Sequence, residues 1–468
     1  MQKGGIAMAL LGAVIVPHPP IIIPSIGKGE EKGIQKTIDS YDRAAREIAE
    51  LKPDTVVVTS PHSVLYADDL HISPGREASG DFLAFGSHDK PLSFQYDTEF
   101  VSGLTAAARE ANIAAGTFGE RDRSLDHGTL VPLFFLRKYC ENFRLVRCSL
   151  SGFSPLVHYN YGKCIVETAR RLGRRTVLVA SGDLSHKLKE DGPYGFAPEG
   201  PQFDAQVTKA MKEADFMRFL TFDEEFCDTA AECGLRSFII MAGAFDGMAV
   251  EPEFLSYEGP FGVGYAVCCF RPAGLDESRR FGDRYEAWSR EKADEQKRNE
   301  DEYVRLARLS LETWIQKSRI ADLPSGLSAE LTDKKAGVFV SLKKEGRLRG
   351  CIGTIHPVRK SIAEEILLNA VSAGTEDPRF DPVTEDELST LAYSVDVLGD
   401  TEPIELLSEL DVKRYGVVVR NGTRCGLLLP NLTGVDSPER QVSIALRKAG
   451  IRKDEPYRME RFEVVRHT

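Results

Sequence analysis

Leu10-Leu11-Gly12-Ala13-Val14-Ile15-Val16, an unbroken apolar run that stops at Pro17-His18-Pro19-Pro20, decides the fold class. Two further runs have the same form. Thr55-Val56-Val57-Val58-Thr59 leads into Ser60-Pro61-His62, and Thr176-Val177-Leu178-Val179-Ala180 leads into Ser181-Gly182-Asp183-Leu184-Ser185-His186. Continuous Val/Ile/Leu without a polar alternation marks parallel strands buried on both faces. In an open α/β sheet, ligands bind beyond the carboxyl ends of such strands. Three histidines delivered there make a metal-centred active site the leading expectation.

Outward from these runs, strand-like text (Arg144 to Leu150, Gly264 to Phe270) alternates with helix-like text (Gly33 to Leu51, Phe100 to Ala111, Tyr161 to Leu172), the signature of βαβ units. The reading is an α/β domain over residues 8–273 with a central, mostly parallel sheet. A chain of 468 residues exceeds what one core usually organises, so a second domain is expected. Residues 274–298 turn to Glu, Asp, Lys and Arg with few apolar positions, which reads as a solvated, partly helical connector. Beyond it, Tyr303, Leu306, Ala307, Leu311 and Trp314 form an apolar helical stripe that opens a smaller α+β domain over 299–466. Gly337 to Leu342 and Arg347 to Ile355 read as a hairpin, Gly416 to Leu429 as another turning at Asn421-Gly422, and Leu391 to Leu398 as an alternating strand. Pro438 to Ala449 reads as a helix capped by Ser437 and Gly450.

The charge balance, 60 basic against 71 acidic residues, offers no general attraction to phosphate backbones or anionic lipid, so nucleic acid and membrane are not expected partners. Lys3 to Val16 runs into prolines without a small-residue cleavage site and is too short to span a bilayer at ~20 residues; it reads as a first strand rather than a signal peptide. Nine scattered cysteines, none in a CxxC pair, point to a reduced cytoplasmic compartment.

His18 and His62 follow matching V-P-H and S-P-H endings whose prolines stiffen the loops, and a carboxylate beside them would complete a 2-His-1-carboxylate face suited to Fe(II) or another divalent metal. Glu232, among small residues just before the apolar stretch Leu235 to Ala244, is the carboxylate that stands out; the plainer reading makes it a favourable charge at a helix start. His186 reads as a general acid or base with Asp183 holding its ring, or as part of a loop in which Asp183 caps a helix. His127, in Asp126-His127-Gly128-Thr129, reads as a hydrogen-bond donor to bound oxygen or to an ionised hydroxyl.

At Pro17-His18-Pro19, Ser60-Pro61-His62, Leu125-Asp126-His127-Gly128-Thr129-Leu130-Val131-Pro132-Leu133, Ser181 to His186 and Glu232-Cys233-Gly234 the first domain resembles the class III extradiol ring-cleavage dioxygenases, the LigB-like superfamily that includes Memo-like proteins. The resemblance implies His18, His62 and Glu232 as iron ligands, His186 as the acid/base and His127 as a donor near substrate and oxygen. It also implies a catecholic or aminophenolic substrate opened with dioxygen next to its hydroxyls. Memo-like relatives carry a cysteine at the third-ligand position, and Cys233 adjoins Glu232; the assignment taken here is Glu232. Such a relative would be a binding or adaptor protein rather than a working dioxygenase. Leu348-Arg349-Gly350-Cys351-Ile352-Gly353, Asp377-Pro378-Arg379-Phe380 and Gln441 make the second domain resemble the AMMECR-type domain. Its Cys351 is either a close-packed strand residue or a reactive thiol. The pairing of these two families implies a radical SAM protein as partner, and leaves the assembly state, homo-oligomer included, open.

Overall fold

A computed structural model of the chain describes residues 9–119, 124–344, 346–432 and 434–468. Lys3 to Met8, used in the sequence reading, lie outside the described residues. The chain divides into two compact units, Met1–Glu286 and Ala287–Thr468.

In the first unit the elements that carry the sheet and its cover are β1 (Leu10–Val16), α1 (Gln35–Leu51), β2 (Thr55–Ser60), α2 (Thr98–Glu110), α3 (His127–Arg137), β3 (Arg144–Ser149), α4 (Pro155–Leu172), β4 (Thr176–Ser181), α5 (Glu199–Glu213), α6 (Leu235–Ala244), β5 (Met248–Glu258) and β6 (Tyr265–Leu275). The six strands are ordered β3-β2-β4-β1-β6-β5. The first four are parallel, and β6 and β5 add an antiparallel edge. Every residue of β2 and β4 is buried, as their unbroken apolar text requires of strands covered on both faces. Side chains alternate between the faces. Val14, Val56, Val58, Val177 and Val179 pack with Tyr41, Ala44 and Ile48 of α1 and with Leu133 and Leu136 of α3 in one core cluster. Helix α6 packs on the sheet through β4 and against α4. Each fully buried Val or Leu contributes ~1.5–3 kcal/mol over its exposed state, enough for these runs to fix the register. Register matters here because Val16 lies opposite Ser181 and Thr59 opposite Ala180. The carboxyl ends of β2, β4 and β1, three neighbouring strands, are therefore level.

The stretch expected as a connector is the end of β6 followed by a helix, α7 (Phe281–Asn299), within which the chain divides. The second unit contains α8 (Glu302–Lys317), β7 (Val338–Lys344), β8 (Arg347–Gly353), α9 (Ile362–Thr375), β9 (Leu391–Leu398), β10 (Glu402–Ile404), β11 (Tyr415–Asn421), β12 (Arg424–Leu428), α10 (Pro438–Ala449) and β13 (Arg458–His467). Its antiparallel sheet runs β8-β7-β9-β13-β11-β12, with β10 pairing β13. Val338, Val340, Leu342 and Val395 share a core with α8 and α9, and α10 covers β11 and β12. The Ser437 hydroxyl accepts from the Arg440 N–H at the start of α10, and Gly450 ends it at φ +64°. None of the nine cysteines is bridged. Among the described residues no helix is long and apolar enough to cross a membrane.

Candidate metal centre

Leaving β1, the chain places His18 at 1% exposure over the sheet edge. The Tyr41 hydroxyl donates to the Pro17 carbonyl at 2.5 Å and fixes the turn that carries it. His62, two positions past the end of β2, points its Nε2 to within 3.0 Å of His18 Nε2. From the chain entering α6, Cys233 brings its Sγ to 3.7 Å of His18 Nε2, and the three ligand atoms lie within 4.8 Å of one another. Two ring nitrogens and a sulfur at these separations can each stand ~2.0–2.3 Å from one centre, the bond lengths of imidazole and thiolate to a first-row metal.

The hydrogen bonds behind the rings decide which nitrogen faces the centre. Ser181 Oγ, at the end of β4, donates to the Gly128 carbonyl at 2.6 Å, so its lone pair is what it offers His18 Nδ1 at 3.0 Å. His18 therefore carries its proton on Nδ1 and presents a bare Nε2. Burial, and then the neighbouring His62, push the His18 pKa down to about 3, and burial lowers His62 also. Both rings are neutral donors at physiological pH, the form a metal needs. The Cys233 thiol is pushed well up by burial and by Asp183 and Glu232, so it stays protonated unless a cation offsets those charges. This donor set fits a divalent metal.

His127 opens α3 beside this centre, its ring 4.1 Å from that of His62 and 5.4 Å from that of His18. Burial and the two other imidazoles push its pKa down to about 3. Asp126 caps α3 and accepts from the hydroxyls of Ser60, Ser63 and Thr129 at 2.6, 2.9 and 2.8 Å. Burial opposes ionisation, but these donors hold its carboxyl below the usual range. Gly128 is required here because a Cβ would stand 2.4 Å from Ser60 Oγ. Gly182 does the same on the other side: a Cβ there would meet Gly234 Cα at 2.1 Å, and this backbone contact is what brings Cys233 to Asp183.

The sequence-predicted residues divide at this point. His18, His62, His127 and Asp183 come together, and His186 is within electrostatic reach of His18. Glu232, expected as third ligand, is instead turned toward α6, where its carboxylate accepts from the Leu235 N–H at 2.6 Å; the third atom that could hold a metal with the two histidines is the sulfur of Cys233. The cause is local. Ala231 adopts φ +54°, which redirects the chain so that successive side chains diverge. Glu232, two residues before the Gly234 N-cap, satisfies the first free N–H of α6, and the available signal was a carboxylate placed just ahead of a helix start. Asp183 was expected to hold the His186 ring. Its carboxylate accepts from the His18 N–H at 2.8 Å, and it is the Ala231 carbonyl that bonds His186 Nδ1, at 2.5 Å. A carbonyl can only accept, so His186 carries its proton on Nδ1 and keeps a basic Nε2. Sequence reasoning missed Ser181, whose hydroxyl at a strand end gave no sign of orienting a ring, and Tyr41, which reads simply as a core aromatic of α1.

In the second unit Cys351, half-buried on β8, donates its N–H to Asp377 at 2.9 Å and receives the Ser341 hydroxyl on its sulfur at 3.3 Å.

Residues 12–268 match the family described as the catalytic LigB subunit of aromatic ring-opening dioxygenase, and residues 304–467 match AMMECR1. A protein of Clostridium acetobutylicum is 39% identical over 477 residues, covering 98% of this chain and 99% of its own. A Thermotoga maritima protein is 44% identical over 170 residues, 36% of this chain and 98% of that one. Among solved structures, a crystal structure of an Escherichia coli K12 protein aligns with 55% of this chain and 99% of its own at 15% identity and a TM-score of 0.37. Sequence motifs, sheet topology and the family match over more than half of the chain agree: it belongs to the LigB family, with an AMMECR1 domain in the same polypeptide.

Proposed function

We propose that the LigB-like half is a metal-dependent oxidoreductase that takes a catecholic or aminophenolic small molecule and dioxygen, with Fe(II) held by His18, His62 and Cys233. The observation that carries this reading is the convergence of two imidazoles, His18 oriented by Ser181, and the Cys233 thiol beyond the carboxyl ends of adjacent strands, with two more histidines beside them. Bound there, the metal would lower the pKa of a ring hydroxyl and give both reactants one meeting point. His186, with Nδ1–H tied to Ala231, takes the hydroxyl proton on Nε2. His127, kept neutral beside His62, donates a hydrogen bond to the oxygen that becomes negative. Asp183 fixes the His18 backbone, and Ser181 fixes its ring. The AMMECR-type domain is an accessory or substrate-handling module.

Cys233 in place of a carboxylate favours a second reading: a Memo-like half that binds metal without opening rings, as an adaptor or as a redox partner of a radical SAM enzyme. Anaerobic Fe(II) titration with metal analysis, followed by oxygen-electrode assays on catechol and 2-aminophenol, separates the two. Cys233→Ser is expected to weaken metal binding by more than ~10–100-fold, the range typical of an orienting partner alone, while Glu232→Gln keeps full stoichiometry; the reverse pattern would restore Glu232 as the ligand. His186→Ala should retain metal and lose oxygen uptake. Full metal with no uptake by the wild type on either compound selects the second reading.

A further inference from the structure

Two large aromatic side chains stand in solvent at this centre, and neither belongs to a core. Phe85 ends a short turn, Leu83–Phe85, that buries none of its residues, and its ring is 40% exposed. It meets the His127 ring at 5.3 Å with the planes 67° apart. Tyr194, 55% exposed in the loop after β4, meets the His186 ring at 5.0 Å and 89°. Leu83 and Phe196, beside them in the chain, are 56% and 44% exposed. Thus each histidine assigned to proton or hydrogen-bond work has an aromatic ring set edge-to-face against it, and each of those rings keeps surface open to solvent. Exposed aromatic surface set against histidines beside a candidate metal centre marks a surface that a ligand can cover.

We infer that Phe85 and Tyr194 are specificity-determining residues that grip a flat aromatic ring from the His127 side and the His186 side of the centre. The inference rests on the metal-site reading above for where the ring's oxygens go, but the grip itself needs only the ring. Aromatic pairs prefer offset or edge-to-face contact at centroid separations of ~4.5–7 Å, the spacing both residues already adopt toward their histidines. A planar ligand entering between them would extend that arrangement, whereas an aliphatic ligand would gain only area.

The test uses the full-length, metal-loaded protein and two coloured probes, 4-nitrocatechol, which can chelate through two oxygens, and 4-nitrophenol, which cannot, each titrated by difference absorbance. Phe85→Ala and Tyr194→Ala are each expected to weaken both probes about tenfold, the upper end of the roughly two- to tenfold worth of one aromatic contact, because ring area is lost too. Tyr194→Phe is expected to stay within about twofold of wild type, since it is the ring that binds. Metal analysis on each variant, at unchanged stoichiometry, assigns the loss to the grip rather than to the centre. Tight nitrophenol binding that depends on both rings, with no advantage for nitrocatechol, supports the grip and counts against the diol reading. Affinities unchanged in both alanine variants, or no binding of either probe to wild type, overturn the grip.

Discussion

Several buried acids near the candidate centre and several in the AMMECR-type half are held in opposite ways. At the candidate centre Asp126 is held down against burial by three hydroxyls and by Arg147, but Asp183 is pushed up to about 6, and Asp204 and Glu232 to about 7, each mainly by burial, while His18 and His127 fall to about 3. In the AMMECR-type half the buried acids have partners. Burial works against Glu387, yet Arg349, the Thr384 N–H and Lys344 bring it down to about 2, and Arg379 holds Asp377 lower still. Arg466 binds Asp396 through two hydrogen bonds of 2.7 and 2.9 Å. A structural ion pair satisfies itself, whereas a site keeps titratable groups uncompensated so that a ligand or a proton can complete them. By that measure the first half is built to receive a cation, and the second carries its cations within the fold.

The sharpest break of this contrast comes from removing a cation where the fold supplies it. Arg308 and Glu300, 6% and 5% exposed, share two hydrogen bonds of 3.0 Å through Arg308 Nε, and the guanidinium lies 4.4 Å over the Tyr393 ring. Arg308→Ala leaves a buried carboxylate alone and is expected to destabilise the second half by ~3–5 kcal/mol, whereas the double variant Arg308→Met, Glu300→Gln should recover most of it. Denaturant unfolding of the three proteins checks this; a single variant within about 1 kcal/mol of wild type would mean that Glu300 is solvated.

A smaller effect of opposite origin is expected at Asp204. Its carboxylate accepts from the Ser185 N–H at 2.8 Å and the Tyr257 hydroxyl at 2.6 Å, without a cation. With a folded pKa of about 7 against the ordinary 3.8, the folded state holds the proton that the unfolded chain has released across this window. Its contribution is therefore complete below about pH 4 and is lost as pH rises to about 7. Asp204→Asn should remove this slope, so that the variant gains on wild type by on the order of 2–4 kcal/mol between pH 4 and pH 8. Parallel stability curves for the two proteins would show that the carboxyl is not perturbed.

How much of this was legible depended on whether local pattern or long-range contact set the feature. Leu10 to Val16, Leu391 to Leu398 and Pro438 to Ala449 are elements with the bounds their patterns announce, because burial on both faces, strict alternation and end caps are written within the segment. The 274–298 stretch was read as partly helical, but the length of its helix was not legible, since no apolar stripe announces it. At the site, the convergence of His18 and His62 was readable from strand endings. The choice between Glu232 and Cys233 was not, because it turns on one residue's φ at Ala231 and on a backbone contact between Gly182 and Gly234, 52 positions apart in sequence.

Ser181 offers the finest probe of the contrast, because it is a neutral residue that organises the centre without touching the place a metal would occupy. Its hydroxyl can donate only once, and that proton goes to the Gly128 carbonyl; the His18 ring must therefore donate to Ser181 and turn a bare Nε2 inward. Ser181→Ala removes a partner of both groups without adding charge. The His18 ring is then free to exchange tautomers, and Fe(II) binding is expected to weaken by ~10–100-fold, as for other residues that orient a ligand. Nitrogen NMR of the metal-free protein reads the tautomer directly and should show His18 protonated on Nδ1 in wild type and mixed in the variant. Unchanged metal affinity with an unchanged tautomer would show that burial alone, and not the strand-end hydroxyl, fixes the ring, and the first half would then owe its readiness for a cation to desolvation rather than to orientation.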